Sequence, residues 1–484
     1  MESLPAEIHA EIFRYLPLAD HRNLSLVSHS YHGFAVKFLF STINLYFPED
    51  PRIDIEDYVY PLNSNNIPFN EQAQRSWQII NWIIKNRAFA ENVKTLRVHA
   101  FSQELTFEIY SVTEAILNLP NLQSLSWYYT QLATNVAKAL PASLKCLEIP
   151  SYRSSSDIDH LSKLQKLSLL RPYPRLLHPL SFETEFTPPH DLINAPKIVS
   201  RNIPLRTLSI SRSVIAQLPI RTFENLTELS ILVTRYCQPF GMDLIFRHAS
   251  RLTSLSLRGD VDLDFLSSLE KQPNALPQLS SFSLSVDNMY NQEELYLHSR
   301  HFEIISAFLR PKHLRRLFMH IQCDLAAFSN IFLPLFQSQL HLKALGLEVH
   351  GDFLGVEDIP QYDELLPPQL EGIHLLWTHA GAGPSEVFHP TVDKLIGLRK
   401  LCYLSISTAK EFIPYSEAGN IAGHFPNLDI LLLDSQVFDI NRHEDEVSAI
   451  QWSPMRIEGC TAESFSSPDD AWLYENRLWS YDWM

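Results

Sequence analysis

Leu164-Gln165-Lys166-Leu167-Ser168-Leu169 and Leu252-Thr253-Ser254-Leu255-Ser256-Leu257 are two copies of one pattern, with leucine at the first, fourth and sixth positions. The fourth and sixth residues lie two apart, so a strand carries both on one face. A degenerate copy, Val93-Lys94-Thr95-Leu96-Arg97-Val98, opens the series. Further copies start at Leu122, Leu144, Leu164, Leu205, Leu226, Leu252, Leu279, Leu314, Leu342, Leu370, Leu401 and Leu428. The steps between starts run from 20 to 35 residues, apart from one of 41 between Leu164 and Leu205. A chance Leu-x-x-Leu is common, whereas thirteen in quasi-register form a repeat. One unit cannot bury its own leucines, but stacked neighbours can, which makes the expected body an α/β solenoid with a curved parallel sheet and helices on its convex side.

The material between copies fits that plan. Ile109, Val112, Ile116 and Leu119 form one helical stripe, and Ile304, Ile305, Phe308 and Leu309 another. Pro120, Pro141, Pro204, Pro277, Pro311, Pro368 and Pro426 precede strands, where they end a helix and turn the chain. The array resembles the leucine-rich repeats, whose period is about 20–29 residues. It departs from them eight residues after the first leucine, where Asn or Cys is usual and Thr130, Ser213, Thr234, Asp260, Asp287, Gln322 or His350 stands here. An irregular ladder is expected, with an inserted loop or lost repeat in the proline-rich stretch 171–200.

On the inner face the fifth position of seven copies is serine: Ser126, Ser168, Ser209, Ser230, Ser256, Ser283 and Ser405. Such serines offer a partner a polar, hydrogen-bonding lane or simply let strands stack with little crowding, and larger groups interrupt the lane. Arginines and exposed aromatics anchor protein interfaces. On that ground Arg258, Phe318, His320 and His374 are the candidate contacts for a protein target.

Composition narrows the function. Thirteen glycines in 484 residues are under half the usual share of about 7%, too few for the Gly-rich loops that cradle phosphates. The net charge of −16 opposes non-specific contact with nucleic acid or anionic lipid. Asp434 to Met484 alone holds eleven carboxylates against three arginines. Cys146, Cys237, Cys323, Cys402 and Cys460 are too far apart for a zinc ribbon and argue against a disulfide framework. No stretch of 18 apolar residues and no basic-then-apolar leader is visible. Neither a nucleic acid, a membrane nor a cofactor is therefore expected, and the expected location is cytoplasmic or nuclear. His29 and His32 make at most half a metal site, and Gly381-Ala382-Gly383 is followed by Pro384 and lacks a third glycine, so it reads as a repeat turn.

Residues 4–40 read as three short helices. Pro5 suits a first helical position, Ile8, Ile12 and Leu16 form an apolar face, Asp20 and Ser28 are candidate N-caps, and Tyr31, Phe34 and Phe38 share a stripe. A segment of about forty residues rarely folds without staples or a partner, so that apolar surface must be covered. Leu4-Pro5-Ala6-Glu7-Ile8, Ile12-Phe13-Arg14-Tyr15-Leu16, Asp20, Leu24-Ser25-Leu26-Val27-Ser28, Tyr31 and Phe34 together resemble an F-box. Tyr31 stands where that motif often has Phe or Trp. The resemblance implies docking on the Skp1 adaptor through Leu4, Pro5, Ile8, Leu16, Leu24 and Val27, and through it a link to the cullin and RING subunits of an SCF ubiquitin ligase. The irregular repeats resemble those of fungal F-box proteins.

The expected organisation is an F-box over 1–42, a linker and helical lead-in over 43–90, the solenoid over 91–436, and an acidic, Trp-containing cap or tail over 437–484. The expected function is non-catalytic: a substrate-recognition adaptor holding an unknown protein target. Two other readings stay open, a Skp1-binding or free repeat scaffold outside ubiquitination, and an enzyme with an unrecognised site.

Overall fold

The computed structural model of the chain describes residues 5–14, 16, 18–47, 69–100, 106–129, 132–149, 158, 160–169, 203–233, 241–259, 263–286, 297, 299–322, 328–350, 366–378, 392–393, 395–408, 416–434, 436–443, 446–453, 456–457, 460 and 462–481. Contacts divide it into two units, Met1–Asn225 and Leu226–Met484. That boundary falls inside the stretch read as one array. The insertion at 171–200 and the Gly381–Gly383 turn lie outside the described residues.

The first unit opens with α1 (Ala6–Arg14), α2 (Leu18–Ser25) and α3 (His29–Leu39). Phe13 is their shared core, with its ring against Tyr31, Phe34 and Phe38 and stacked on His21. His21 Nε2 lies 2.6 Å from the Phe13 carbonyl oxygen and ties α2 to α1. Ser28 caps α3 by accepting the Tyr31 N–H at 3.2 Å. Asp20 is not a cap; it sits within the first turn of α2, where its carboxylate still faces the positive end of the helix dipole.

The stretch 43–90, read as linker and helical lead-in, begins differently. Residues Thr42–Phe47 form β1, which pairs in parallel with β2 (Thr95–Ala100). Ile43, Leu45 and Phe47 are buried and alternate with more exposed residues, so β1 is a repeat strand in which Ile and Phe take leucine positions. α4 (Phe69–Lys85) and α5 (Arg87–Ala90) follow. Then β3 (Ser124–Tyr129), β4 (Cys146–Glu148), β5 (Lys166–Ser168) and β6 (Thr207–Ser211) extend the ladder in chain order, all parallel. α6 (Thr106–Leu117) and α7 (Thr134–Ala139) lie between strands, and α8 (Ile220–Asn225) closes the unit.

In the second unit β7 (Glu228–Val233), β8 (Ser254–Gly259) and β9 (Ser281–Val286) pair in parallel order. β10 (Arg316–Gln322), β11 (Ala344–His350), β12 (Gly372–Thr378), β13 (Tyr403–Thr408) and β14 (Ile430–Leu433) continue the series. Each strand from β2 to β14 starts two residues after the first position of its sequence copy, so the fourth and sixth positions point to one side. In the second unit α9 (Met242–His248), α10 (Leu263–Lys271), α11 (Ser299–Leu309) and α12 (Leu333–Ser338) run between strands, and buried residues of α9 and α11 pack on that side. Phe282 of β9, for example, meets Phe308 of α11, which also meets Phe246 of α9. After α13 (Glu417–His424), β15 (Gln436–His443) and β16 (Glu446–Gln451) add antiparallel strands beyond β14 and cover its edge. The last helix, α14 (Pro468–Tyr481), packs against β10, β11 and β12. Among the described residues no helix is long and apolar enough to cross a membrane.

Candidate functional site

Two surfaces carry the sequence candidates. The first is the outer side of the opening helices. Their inner side is filled by Phe13 and its ring partners, but Ile8 is 47% exposed, Ile12 45%, Leu26 86% and Val27 65%. These four large apolar side chains, two on α1 and two just after α2, are left in water. Of the residues expected at Skp1, Pro5 is exposed with Ile8 and Val27, Leu16 and Leu24 are half-buried, and Leu4 lies outside the described residues. Ile12, read as part of the apolar face of α1, and Leu26 are exposed as well, though neither was among the residues expected at Skp1. His32 Nδ1 lies 3.2 Å from the Ser25 carbonyl oxygen, a local bond that joins α3 to the end of α2. Among the described residues no group of three or more His, Cys, Asp or Glu could hold a metal.

The second surface is the face of β9–β14 opposite α9–α12. Strand register aligns three lanes there. Ser281, Arg316, Ala344, Gly372, Tyr403 and Ile430 form one, and Ser283, Phe318, Gly346, His374, Ser405 and Leu432 the next. Ser285, His320, Glu348, Leu376 and Ser407 form the third, with Arg258 beside Ser285. Gly346 is required by the middle lane. A Cβ there would lie 2.2 Å from the Phe318 ring, which crosses the gap to stack on His374 at 6.0 Å.

Phe318, His320 and His374 were expected to meet a partner from solvent. They do not: all three are buried, His374 completely, because α14 and the chain before it lie over them. Arg258 is half-buried, bonded to Ser256 and, through its guanidinium at 3.3 Å, to Asn476 Oδ1 of α14. The structure thus brings the four candidates together as the seat of the chain's own last helix.

The seat is specific. Ser467 accepts the Asp470 N–H at 3.2 Å, so Ser467-Pro468-Asp469-Asp470 starts the helix with a serine cap, proline at the first position and an acidic first turn. The buried Asp469 carboxylate takes Arg315 at 2.8 Å and Arg316 at 2.5 Å. Trp472 sets its edge on Phe318 and lies 5.9 Å under the Arg316 guanidinium. Asn476 Oδ1 accepts from Ser283 at 2.7 Å. Gly372 leaves room for the approach, since a Cβ there would stand 2.9 Å from Leu473 Cδ1. Leu473, Tyr474 and Phe465 complete an apolar cluster with Tyr403, Ile430, Leu432 and Trp452. Sequence reading missed this helix role; the Ser-Pro-Asp-Asp start was its visible signal.

Beneath α14 the floor is polar. Glu348 Oε1 lies 2.6 Å from His374 Nε2, Glu348 Oε2 2.6 Å from His320 Nδ1, and His374 Nδ1 2.7 Å from Ser405 Oγ. Burial opposes ionisation of Glu348, but the bonds from His320 and His374 hold its carboxyl down at about 2. Burial lowers His374, so its neutral ring donates Nε2–H to Glu348 and accepts the Ser405 hydroxyl at Nδ1. Ser405, His374 and Glu348 share the connectivity of a nucleophile, base and acid. They are nevertheless wholly buried, and β13 runs between two ladder partners, so Ser405 Oγ has neither access nor free backbone donors for an oxyanion. The network is a structural floor. Above it burial raises the Asp470 carboxyl to about 6, reinforced by Asp469, Asp429 and Glu371 against the hydrogen bond from Ser467. Burial likewise pushes the Cys402 thiol, 3.9 Å from Asp470, up to about 12.

The first unit has its own lane on the corresponding face. Asn44, Arg97, Ser126, Glu148 and Ser168 share register, and Glu148 accepts from Ser126 at 2.8 Å and Lys166 at 2.7 Å. Beside it the rings of Tyr46, His99 and Tyr128 stack at 4.4 and 4.6 Å, half-buried. Burial, with Arg97 nearby, lowers His99 to about 3, so this ladder is uncharged at neutral pH.

Comparison with known proteins bears on the opening helices. Residues 1–45 match the F-box-like family. The match covers α1–α3 and most of β1 and leaves the repeats unassigned. No curated protein sequence matches the chain. Among solved structures, the chain is similar to one in a TLR13–ssRNA13 complex, at 15% identity and a TM-score of 0.27, over 71% of this chain and 55% of that one. It is similar also to one in the Toll–Spätzle complex of Drosophila, at 12% identity and 0.26, over 73% and 42%. The chain therefore spans about half the length of these solved chains.

Proposed function

We propose that the chain is a target-recognition adaptor of an SCF-type ubiquitin ligase. Its opening helices dock on a Skp1-like adaptor, which supplies the cullin and RING subunits, and its repeats hold a protein target. F-box domains generally bind Skp1, and the observation that carries the reading here is the exposure of Ile8, Ile12, Leu26 and Val27 on the F-box-like segment. The chain would perform no bond chemistry. It would hold a target near a charged conjugating enzyme, so that lysine attack becomes effectively intramolecular.

The test is capture of purified Skp1 and cullin by the full chain and by Ile8→Asp and Val27→Asp variants. Both side chains are exposed, so the variants should melt like the unaltered chain and lose at least about tenfold in Skp1 affinity, about 1.4 kcal/mol. Undiminished capture by both would overturn the docking face. Capture of Skp1 without cullin would favour a scaffold outside the ligase.

A further inference from the structure

The placement of α14 is unusual for a structural cap. Solenoid ends are where caps are needed, and the edge of β14 is already covered by β15 and β16. The leucine side of β9–β12 has its own helices, with Phe282 and Phe308 in contact. What α14 covers is neither an open edge nor an exposed leucine layer. It is a face holding five serines, two histidines and a carboxylate within β9–β13. Burying an ion such as Glu348 is costly, and a permanently dry contact is at least as stable when apolar. A polar strip carrying an ion, beside the apolar cluster that holds Leu473 and Tyr474, fits a surface that also meets water.

We infer that this face is a helix-binding groove for a target protein, occupied in the present structure by α14 in cis. The kind of partner follows from the seat: a helix whose first turn carries paired carboxylates, followed within one turn by a large apolar pair and then by a polar amide. Arg315 and Arg316 clamp the first carboxylate, Phe318 receives the aromatic edge, and Ser283 and Arg258 read the amide. A target helix must displace α14 to bind, so the last helix sets the affinity threshold. The inference rests on the reading of the repeats as target-binding and specifies the class of target.

The probe is a fluorescent peptide of residues 465–484, added to the full-length chain and to its Asp469→Arg variant. A tethered helix competes at an effective concentration of about a millimolar, so the unaltered chain should bind the peptide poorly. Asp469→Arg unseats the tethered helix, and that chain should bind the peptide at least tenfold more tightly. A peptide carrying the same Asp469→Arg change should not bind it. The inference is overturned if the variant chain melts normally and binds neither peptide, or binds both equally. Should the variant fail to fold, hydrogen exchange on the unaltered chain decides: amides of 470–477 should exchange at least tenfold faster than those of β10–β12, whereas equal rates would make α14 part of the fixed core. Skp1 capture, run on the same samples, reports the adaptor reading separately, because Ile8 and Val27 take no part in the groove.

Discussion

Glu348 and Asp470 are two buried carboxylates held at opposite ends of the titration range, and each makes stability depend on pH with its own sign. Glu348 is depressed to about 2 by His320 and His374 against an ordinary 4.5. Its contribution is complete above 4.5 and is lost as pH falls from there toward 2. Asp470 is raised to about 6 from 3.8. Between those values the folded chain binds a proton that the unfolded chain has released, so stability declines as pH rises through 6. Denaturant midpoints of the full chain should therefore increase from pH 7.5 to 5, level off near 4.5 and fall below 3.8. Asp470→Asn should remove the upper slope and leave the acid limb. Glu348→Gln should flatten the acid limb and cost about 2–4 kcal/mol at pH 7, because both histidines lose a charged acceptor. At Gly346 the limit is space: Gly346→Ala drives a methyl into the Phe318 ring and should cost about 1–3 kcal/mol in the same assay.

At the scale of elements, caps separate what is intrinsic to a helix from what packing supplies. Ser28 caps α3 and Ser467 caps α14. Each change to alanine should cost about 1 kcal/mol. For Ser467→Ala the effect should show as faster amide exchange confined to 469–477, since those residues meet the strands by side chains alone. The strands were the most legible part of the sequence. Leu-x-x-Leu fixes where β2–β14 begin because the two core-facing residues leave no freedom of register. β1 escaped because Ile43, Leu45 and Phe47 follow the alternation without the leading leucine, next to a proline-rich acidic stretch that reads as linker. α14 escaped for a different reason. Its contacts are made by Asp469, Trp472, Leu473 and Asn476, a mixture with no clean apolar period, and the hydrogen-bond partners of Asp469 and Asn476 on the strands lie 153 to 218 residues earlier in the chain. Hence the sequence places Phe318, His320 and His374 in solvent, whereas the fold buries them.

For the whole molecule, the exposed side chains of the opening helices and the groove of β8–β13 draw on different physics. Those side chains are aliphatic, so their capture of Skp1 should survive an increase from 0.1 to 0.5 M NaCl. Groove binding by an acidic helix should weaken over that range, since Arg315 is half in water and its steering of an approaching carboxylate reaches about 10 Å at 0.1 M salt and less as salt rises. In a repeat protein each unit contacts only its neighbours, and perturbations decay along the array. Val27→Asp should accordingly abolish Skp1 capture and leave trans binding of the 465–484 peptide to the Asp469→Arg chain unchanged. Arg315→Glu with Arg316→Glu should abolish peptide binding and leave Skp1 capture unchanged. Measuring both activities on both variants distinguishes two independent sites from a general loss of folding, because an unfolded chain would lose both together. The proposed adaptor role would need that independence, with the opening helices held by Skp1 while targets exchange at the proposed groove.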